Sequence, residues 1–405
     1  MANRAKGDRA AAAAWRAQLD ELAAAGLARA RRRVDSIHGP QVEVAGRRLL
    51  QFCSNNYLDL ASHPRLIHAA AEATRRYGTS AVASPLVCGH MAPHAELEET
   101  ITRFKGAEAA LVVGSGFLAN LALLTTLAGD GDRILCDRLN HASILDGARL
   151  SKASLRVYPH CDLDALERLL RRETSGRTLI VTDSVFSMDG DLAPLDAICD
   201  LADRYGATVV VDDAHATGVI GDGGRGSLSH FGLAAGRAIT MGTLGKALAS
   251  YGAFIAGPKV AIDLLVHRAR PLIYSTALPP AVAVVASEAI HLLEEDPGRV
   301  ARLAERATYL RQQLATLGVP VANNPTPIVP LVIGEAAPTV RLSEELLAAS
   351  VWIPAIRPPT VPAGTSRLRI VVSAGHSTYQ IDYLVAALRH LGVGGGAGGD
   401  QAGDR

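Results

Sequence analysis

The sequence predicts an α/β fold in which a large domain with a mainly parallel sheet is followed by a smaller α+β domain. Between about residues 65 and 290, helical patterns alternate with short apolar runs that are rich in valine and isoleucine. Runs of this kind, bounded by glycine or charged residues, are typical of buried parallel strands. Right-handed crossovers between such strands place helices on both faces of an open sheet. The clearest runs cover residues 109–113, 133–136, 178–181 and 208–211.

An N-terminal helix and a β-like arm precede this region. Trp15, Leu19 and Leu22 recur near helical spacing, which favours a helix over a targeting peptide. Residues 41–44 and 49–52 then have strand-like composition and are separated by a turn that contains glycine. The 405 residues of the chain are enough for a large α/β core with a smaller companion.

A second unit follows residue 290. Residues 299–317 and 381–391 are predicted as helices, and residues 328–333 and 368–372 as strands, which gives a small α+β domain. The last residues are rich in glycine and lack large apolar side chains, so a disordered tail is expected. The expected divisions are a helix and arm over 1–52, a large domain over 53–290, a small domain over 291–391 and the tail over 392–405.

Composition excludes several classes of partner. The formal net charge is +1, which gives no electrostatic reason to expect nucleic acid or an anionic membrane surface as a partner. No uninterrupted apolar run approaches the roughly 20 residues that a membrane span needs. The five cysteines are scattered without a CxxC pair, so neither a metal site nor a disulfide framework is expected. Reduced thiols favour a cytoplasmic protein.

The first motif that could carry chemistry is the glycine-rich turn Gly114-Ser115-Gly116, which follows a predicted strand and opens a helix. Glycine lets the backbone approach an anion closely, and a helix N-terminus offers free N–H groups and a favourable dipole. The sequence around the turn also fits the G-x-G-x-x-A fingerprint of dinucleotide-binding proteins. Taken alone, this motif is compatible with a phosphate site, an NAD(P) site or a tight turn without a ligand.

The second motif comprises Asp212, Asp213 and His215 at the end of an apolar run. Open α/β sheets bind their ligands at the carboxyl ends of the strands. Because desolvating an unpaired carboxylate costs several kcal/mol, Asp212 is predicted to meet a cation there. A protonated pyridine nitrogen is one such cation, and a helix N-cap or a structural ion pair is the alternative.

The third motif contains Lys246, one of only five lysines in the chain. A strand-like run precedes it, and its neighbours Gly245 and Ala247 are small, which is poor company for a solvated ammonium group. Apolar surroundings lower the pKa of a lysine, and the neutral amine is the form that attacks an aldehyde. An ordinary surface lysine is the alternative.

Together the three motifs are more specific than any one of them. A phosphate loop, an acid for the ring nitrogen and a lysine for the aldehyde are the contacts that pyridoxal 5′-phosphate (PLP) requires. They occur in that order within one predicted α/β domain. The dinucleotide alternative explains only the first of them.

In these three motifs and several further stretches, the chain resembles the α-oxoamine synthases, a PLP-dependent family with the aspartate-aminotransferase fold, fold type I. The resemblance runs from about residue 36 to residue 390. It implies a seven-stranded type of sheet in the large domain and a homodimer with active sites shared between subunits. The matching stretches are residues 54–58, 140–143, 185–191, 212–215 and 243–246.

The resemblance also implies a role for each matching residue. Lys246 would attach the cofactor aldehyde and then act as the base, and Asp212 would pair with the pyridine nitrogen. His141 would stack on the ring, and His215 would bond to its phenolic oxygen. The other expected cofactor contacts are Ser115, Gly116, Phe117, Ser187, Thr243 and, from the neighbouring chain, Ser275 and Thr276.

Residues 356–369 resemble the family members that join L-alanine to a pimeloyl thioester in biotin synthesis. The resemblance implies a decarboxylative condensation, with the acyl group carried by coenzyme A or by a carrier protein. Arg357 would pair with a carboxylate, and Asn55 is also expected among the substrate contacts. Arg31 matches a position linked to the acyl substrate, although a solvated basic turn explains the arginines at 31–33 equally well.

The sequence leaves three alternatives to an alanine-using synthase. The nearest is a glycine-using α-oxoamine synthase, of the 2-amino-3-ketobutyrate ligase or 5-aminolevulinate synthase type. An NAD(P)-dependent oxidoreductase would use the glycine-rich turn alone. A catalytically silent partner subunit is disfavoured because Asp212, His215 and Lys246 are all present.

Overall fold

The computed structural model of the chain describes residues 2–394. Its helices are α1 (Ala2–Ala24), α2 (Pro64–Tyr77), α3 (Ala92–Lys105), α4 (Gly116–Leu127), α5 (Ala142–Leu150), α6 (Leu163–Leu170), α7 (Leu195–Tyr205), α8 (Ser227–His230), α9 (Lys259–Arg268), α10 (Arg270–Ile273), α11 (Pro280–Glu295), α12 (Gly298–Ala315), α13 (Ala336–Ala348) and α14 (Thr378–His390). Its strands are β1 (Gln41–Val44), β2 (Arg47–Gln51), β3 (Ala109–Val113), β4 (Arg133–Asp137), β5 (Ser154–Tyr158), β6 (Thr178–Asp183), β7 (Thr208–Asp212), β8 (Ile239–Thr243), β9 (Ala253–Gly257), β10 (Ile328–Gly334), β11 (Val351–Trp352), β12 (Ala355–Ile356) and β13 (Ser366–Val371).

A seven-stranded sheet forms the centre of the molecule, with strand order β3-β9-β8-β7-β6-β4-β5. Strand β9 runs antiparallel to both of its neighbours, and the remaining pairs are parallel. The prediction of a mainly parallel sheet is therefore confirmed. All four apolar runs that the sequence singled out are strands of this sheet.

The strands are buried on both faces because helices cover each side. In β7, Val209 and Val211 pack with α6 and α7, whereas Val210 packs on the other side with α4, α5 and α9. This alternation follows from the two-residue period of a strand. It explains why the run reads as continuously apolar, as expected for parallel strands between two helical layers.

The C-terminal part builds its own core around a three-stranded antiparallel sheet, β10-β13-β12, covered by α12, α13 and α14. The predicted helices at 299–317 and 381–391 correspond to α12 and α14, with ends that differ by a few residues. The arm joins this core, since β2 pairs in parallel with β11 and Phe52 is fully buried in it. The division at residues 52 and 290 stays a prediction, and residues 395–405 of the expected tail lie outside the described residues.

The sheet brings the chemical motifs together at one edge. Strands β4, β6, β7 and β8 are consecutive neighbours, and all four run parallel. The segments that follow them therefore emerge side by side at their carboxyl ends, where open α/β sheets bind ligands. Among residues 2–394, no helix combines the length and apolar character needed to cross a membrane.

Candidate active site

A cleft of about 980 Å³ opens at this edge of the sheet. It brings together Lys246, His141, His215, Ser187 and Asn55, all of which the sequence had singled out. Residues of the C-terminal part form the opposite wall. The remaining lining residues are Arg29, Arg138, Leu139, Asn140, Ala142, Leu145, Met188, Pro358, Pro359, Thr360, Val361, Pro362, Ala363 and Arg369.

Lys246 lies at the end of a hydrogen-bonded chain. Its Nζ is 2.7 Å from His215 Nε2, and His215 Nδ1 is 2.7 Å from the Tyr57 hydroxyl. Burial lowers the pKa of His215 well below its ordinary value, so the ring is neutral. Burial likewise lowers the pKa of Lys246 from 10.5 to about 8, only partly opposed by Asp212. With a pKa of about 8, about a tenth of Lys246 is a neutral, nucleophilic amine at pH 7, far more than for an ordinary lysine.

Asp212 is buried at the end of β7 and belongs to a second chain of hydrogen bonds. Asn120 Nδ2 donates to Asp212 Oδ2 at 2.7 Å and is 2.8 Å from Ser143 Oγ, which in turn lies 2.7 Å from His141 Nδ1. The backbone N–H of Ala214 donates to the other carboxylate oxygen at 3.0 Å. Within the described residues, no lysine or arginine forms an ion pair with Asp212, so this buried carboxylate is held by hydrogen bonds alone.

Asp183, at the end of neighbouring β6, is a site residue that the sequence did not reveal. Its Oδ2 accepts a hydrogen bond of 2.6 Å from the backbone N–H of His141. Burial, reinforced by the negative charge of Asp212, raises the pKa of Asp183 well above its ordinary value. Asp183 thus holds the segment that carries His141, and a protonated Asp183 would spare Asp212 the repulsion of a second charge.

The neighbouring carboxylate, Asp213, has a different environment. It is fully buried, and Lys105 Nζ lies 2.8 Å from its Oδ2. Hydroxyl groups of Ser184 and Ser227 donate to its Oδ1. Burial acts to raise the pKa of Asp213, but Lys105 and these hydrogen bonds outweigh it and lower the pKa. The structural ion pair considered for the double-aspartate motif therefore applies to Asp213.

The glycine-rich turn begins α4, as predicted. Ser115 is the N-cap of this helix and its Oγ accepts from the Leu118 N–H at 3.3 Å. A Cβ atom on Gly116 would lie 3.3 Å from Met241 Cε, so the turn packs closely against β8. Phe117 is exposed, and Thr243 Oγ1 accepts from the Gly245 N–H at 3.2 Å. The turn therefore offers helix N-terminal N–H groups to an anion beside the strand that leads to Lys246.

Three arginines line the cleft without having been singled out from the sequence: Arg29, Arg138 and Arg369. Arg369 is buried on β13 and donates to the backbone carbonyl of Ser187, and it lies 3.3 Å from Asn55 Oδ1. Arg29 lines the cleft and donates to Thr360 Oγ1 at 3.2 Å, whereas Arg31 is exposed and lies outside the cleft lining.

Arg357 also lies outside the cleft. It lines an adjoining pocket of about 480 Å³ and donates to the backbone carbonyl of Ala28.

Ser275 and Thr276 are not brought to Lys246 within one chain. They line a separate cavity of about 180 Å³, together with residues such as Leu86, His94 and Leu278. The same cavity includes Gly114 of the glycine-rich turn.

The residues present fit PLP by the chemistry of their donor set. A buried carboxylate without a cation, a lysine with a lowered pKa and a helix N-terminus match a pyridinium, an aldehyde and a phosphate, respectively. A nicotinamide dinucleotide would use only the last of these three features.

Known proteins agree with this assignment. A family model described as aminotransferase class I and II matches residues 47–388. An 8-amino-7-oxononanoate synthase of Geobacter sulfurreducens is 49% identical over 378 residues, which cover 93% of this chain and 97% of the relative.

Two solved structures give the same result. A serine palmitoyltransferase from S. paucimobilis with bound PLP superposes with a TM-score of 0.88 at 28% identity, covering 94% of this chain and 98% of the other. An 8-amino-7-oxononanoate synthase from Francisella tularensis superposes with a TM-score of 0.74 at 29% identity, covering 85% and 98%.

The fold and the site define a fold type I PLP-dependent transferase. The chain belongs to the aminotransferase class I and II family and, within it, to the α-oxoamine synthases, which are PLP-dependent acyltransferases. The resemblance expected from the sequence motifs is confirmed, and the oxidoreductase alternative is excluded.

Proposed function

We propose that this enzyme condenses L-alanine with a pimeloyl thioester and releases carbon dioxide, the free thiol and 8-amino-7-oxononanoate, a step of biotin synthesis. The observation that carries the proposal is the 49% identity, over 97% of its length, to a relative named 8-amino-7-oxononanoate synthase. The cleft supports it, since Lys246, Asp212 and His141 are arranged for PLP chemistry and Arg29 and Arg369 can receive carboxylates.

PLP bound in the cleft would supply an aldehyde for covalent attachment and a ring that withdraws electrons from the α-carbon of alanine. Asp212 would keep the ring nitrogen protonated, because a buried carboxylate favours a cation beside it. His215 would hold the phenolic oxygen, and His141 would pack on the ring face. Ser187 would lie near the phenolic oxygen.

Lys246 is the proposed base. Its lowered pKa provides a neutral amine that can take the α-proton of alanine and later return a proton to the same carbon. The chain through His215 and Tyr57 orients the amine, because both contacts are 2.7 Å long and Tyr57 is fully buried. His141 accepts at Nδ1 from Ser143, which leaves Nε2 as the nitrogen that can carry a proton toward the cleft.

The phosphate contacts are proposed to come from two subunits. Ser115, Gly116, Phe117 and Thr243 lie at or beside the N-terminus of α4 and the end of β8. The additional contacts proposed from a second copy are Ser275 and Thr276, which line a cavity separate from the cleft of their own chain. The active form is therefore proposed to be a homodimer.

The substrate contacts follow the geometry of the arginines. Arg369 and Asn55 lie together in the cleft, and a bidentate guanidinium suits the carboxylate of alanine or of the condensation product. Arg29 is better placed than Arg31 to meet the acyl substrate. Arg357 would reach the cleft only by leaving the Ala28 carbonyl, so its role as a carboxylate contact requires that movement.

Two further proposals concern the chain as a whole. The enzyme is proposed to act in the cytoplasm without a nucleic acid or membrane partner, in line with its near-neutral charge and scattered free cysteines. The proposed domains are the helix and arm over 1–52, the large domain over 53–290 and the small domain over 291–391.

The test is an assay of the purified holoenzyme with each amino acid and each acyl carrier. L-alanine with pimeloyl-CoA or a pimeloyl carrier protein is expected to release carbon dioxide and free thiol, and glycine is expected to be a poor substrate. Turnover with glycine and a shorter acyl-CoA, but not with alanine, would overturn the proposal in favour of the glycine-using relatives. Comparing the two pimeloyl carriers at equal concentration identifies the natural thioester.

A further inference from the structure

Outside the cleft, His160 bridges two carboxylates at the end of the sheet. Its Nδ1 lies 3.0 Å from Asp137 Oδ1, and its Nε2 lies 2.6 Å from Asp191 Oδ2. Hydrogen bonds to Asp137 and then to Asp191 raise the pKa of His160 to about 12, so the ring carries a positive charge. Cys161 Sγ lies 3.7 Å from the ring. Because both ring nitrogens donate to carboxylates, the cluster is an ion triad and has no nitrogen free for a metal ion.

The first carboxylate anchors the segment that leads to His141. Asp137 ends β4, and its Oδ1 accepts from the Leu139 N–H at 2.8 Å while its Oδ2 accepts from the Cys161 N–H at 2.7 Å. Leu139 and His141 both line the cleft. The position of the Asp137 carboxylate therefore sets the turn from which His141 projects.

The second carboxylate belongs to Asp191, whose backbone closes the hairpin that carries Ser187. The backbone carbonyl of Asp191 accepts from the Phe186 N–H at 3.0 Å, and Val185 forms a bridge with Leu192. Phe186 also packs edge-on against the His160 ring, with centroids 4.4 Å apart. Ser187 lies at the tip of this hairpin and lines the cleft.

We propose that His160 is a positioning residue that fixes the spacing between the His141 segment and the Ser187 hairpin. It lies outside the cleft lining and acts through Asp137 and Asp191. Arg369 and Arg367 hold the tip of the hairpin from the small-domain side, by contacts to Ser187 and Asp189. His160 connects the other end of the hairpin, at Asp191, to Asp137 at the end of β4. Under the proposed function, His141 packs on the cofactor ring and Ser187 lies near its phenolic oxygen, so this spacing sets how the ring is gripped.

The test uses His160→Ala, His160→Asn and His160→Gln in the holoenzyme. In His160→Ala, kcat is expected to fall about 10- to 100-fold because the reacting groups lose alignment, while KM for alanine changes by less than about threefold. Amide hydrogen exchange is expected to become faster in both residues 138–142 and residues 185–192. The Asn side chain can replace only the donor to Asp137, so exchange is expected to rise only in the hairpin. The Gln side chain can replace only the donor to Asp191, so exchange is expected to rise only in the β4 segment.

His376→Asn is the matched control. This histidine is buried outside the cleft, and its ring nitrogens contact Ser373 and the Gln51 carbonyl. Its replacement is expected to lower the melting temperature while kcat and exchange in the two loops stay unchanged. If His160→Ala kept kcat within about twofold of wild type, or if neither loop exchanged faster in the Asn and Gln variants, the positioning role would be wrong.

The inference rests on the proposed function, but the two can fail separately. If the wild-type enzyme does not use L-alanine with a pimeloyl thioester, the proposed function fails. Amide exchange in the two loops still tests the role of His160, because it requires no substrate.

Discussion

Lys105 and Lys246 meet opposite electrostatic environments, and only Lys246 is prepared for chemistry. Lys105 is almost fully buried, with Asp213 at 2.8 Å and the carbonyl of Arg225 at 2.5 Å. Lys246 meets a neutral histidine at 2.7 Å and has no ion-pair partner among the described residues. The first ammonium forms a direct ion pair with a buried carboxylate, whereas Asp212 offsets the burial of the second only in part.

The same contrast separates Asp212, the last residue of β7, from Asp213, which follows it. Asp213 forms an ion pair with Lys105 and accepts hydrogen bonds from two serine hydroxyls. Among the described residues, Asp212 accepts hydrogen bonds only from the Asn120 side-chain amide and a backbone N–H. Two adjacent carboxylates therefore differ: Asp213 belongs to a structural ion pair, and Asp212 is a buried acid without a paired cation. Within residues 2–394, neither Asp212 nor Lys246 forms an ion pair, and PLP would engage both groups.

The largest expected effect is that of Lys246→Ala. Loss of the amine removes both the covalent attachment and the base, so turnover is expected to fall at least about 10⁴-fold. The visible absorption of covalently bound cofactor is expected to vanish, as measured on protein reconstituted with PLP. Lys259→Ala, at an exposed lysine of α9, is the control and should keep both signals. A Lys246→Ala variant with wild-type turnover would refute the assignment.

Lys105→Met removes the cation of the buried Lys105–Asp213 ion pair. It leaves Asp213 buried without its cation, which is expected to lower the free energy of unfolding by about 3–5 kcal/mol. Urea unfolding of the holoenzyme measures this change. Lys259→Met removes an exposed ion pair with Asp263 and should change stability by at most about 1 kcal/mol. Equal effects of the two substitutions would show that the Lys105 pair carries no special weight.

Asp212→Asn tests the acid that lacks a cation. The amide cannot keep the ring nitrogen protonated, so exchange of the α-proton of L-alanine with deuterated solvent is expected to slow about 10²-fold. Because Asn keeps the shape of the side chain, the cofactor should still bind. An unchanged exchange rate, read by NMR, would disprove that Asp212 supports electron withdrawal by the ring.

The smallest perturbation is a pH titration of the cofactor-free protein. Burial lowers the pKa of Lys246 to about 8, so its neutral fraction rises as pH increases through 8 rather than through the ordinary lysine value of about 10.4. Competitive acetylation followed by mass spectrometry should therefore show Lys246 reacting with a midpoint near pH 8, with the exposed Lys152 as the internal reference. A midpoint above pH 10 for Lys246 would contradict the account of its environment.

Much of the fold could be predicted because the strands of a parallel sheet leave a strong local signal. Residues 178–181 and 208–211 are continuously apolar, since helices bury both faces of the sheet. The run at 208–211 leads directly into Asp212 and His215, at the end of the sheet where ligands bind, which explains why the sequence pointed to these two residues. Lys246 could be found for the same reason, at the end of β8.

The missed residues depend on packing between distant parts of the chain. Arg369 reaches the cleft because β13, more than 100 residues after Lys246 in the sequence, packs beside it, although the alternation Arg367-Leu368-Arg369 in a buried strand was an available signal. Arg29 lines the cleft and Arg31 does not. The sequence could not predict this, because the segment between α1 and β1 has no regular periodicity from which to tell which guanidinium points inward. Asn120 and Asp183 gain their importance from contacts to Asp212 and His141 across neighbouring elements.

The most direct test of the contrast between the two lysines is borohydride reduction of the holoenzyme followed by peptide mapping. Reduction fixes the cofactor to the amine that holds it. The pyridoxyl group is expected on the peptide containing Lys246 and absent from the peptide containing Lys105. A label on Lys105, or an enzyme that is active with PLP yet carries no label on Lys246, would contradict the account.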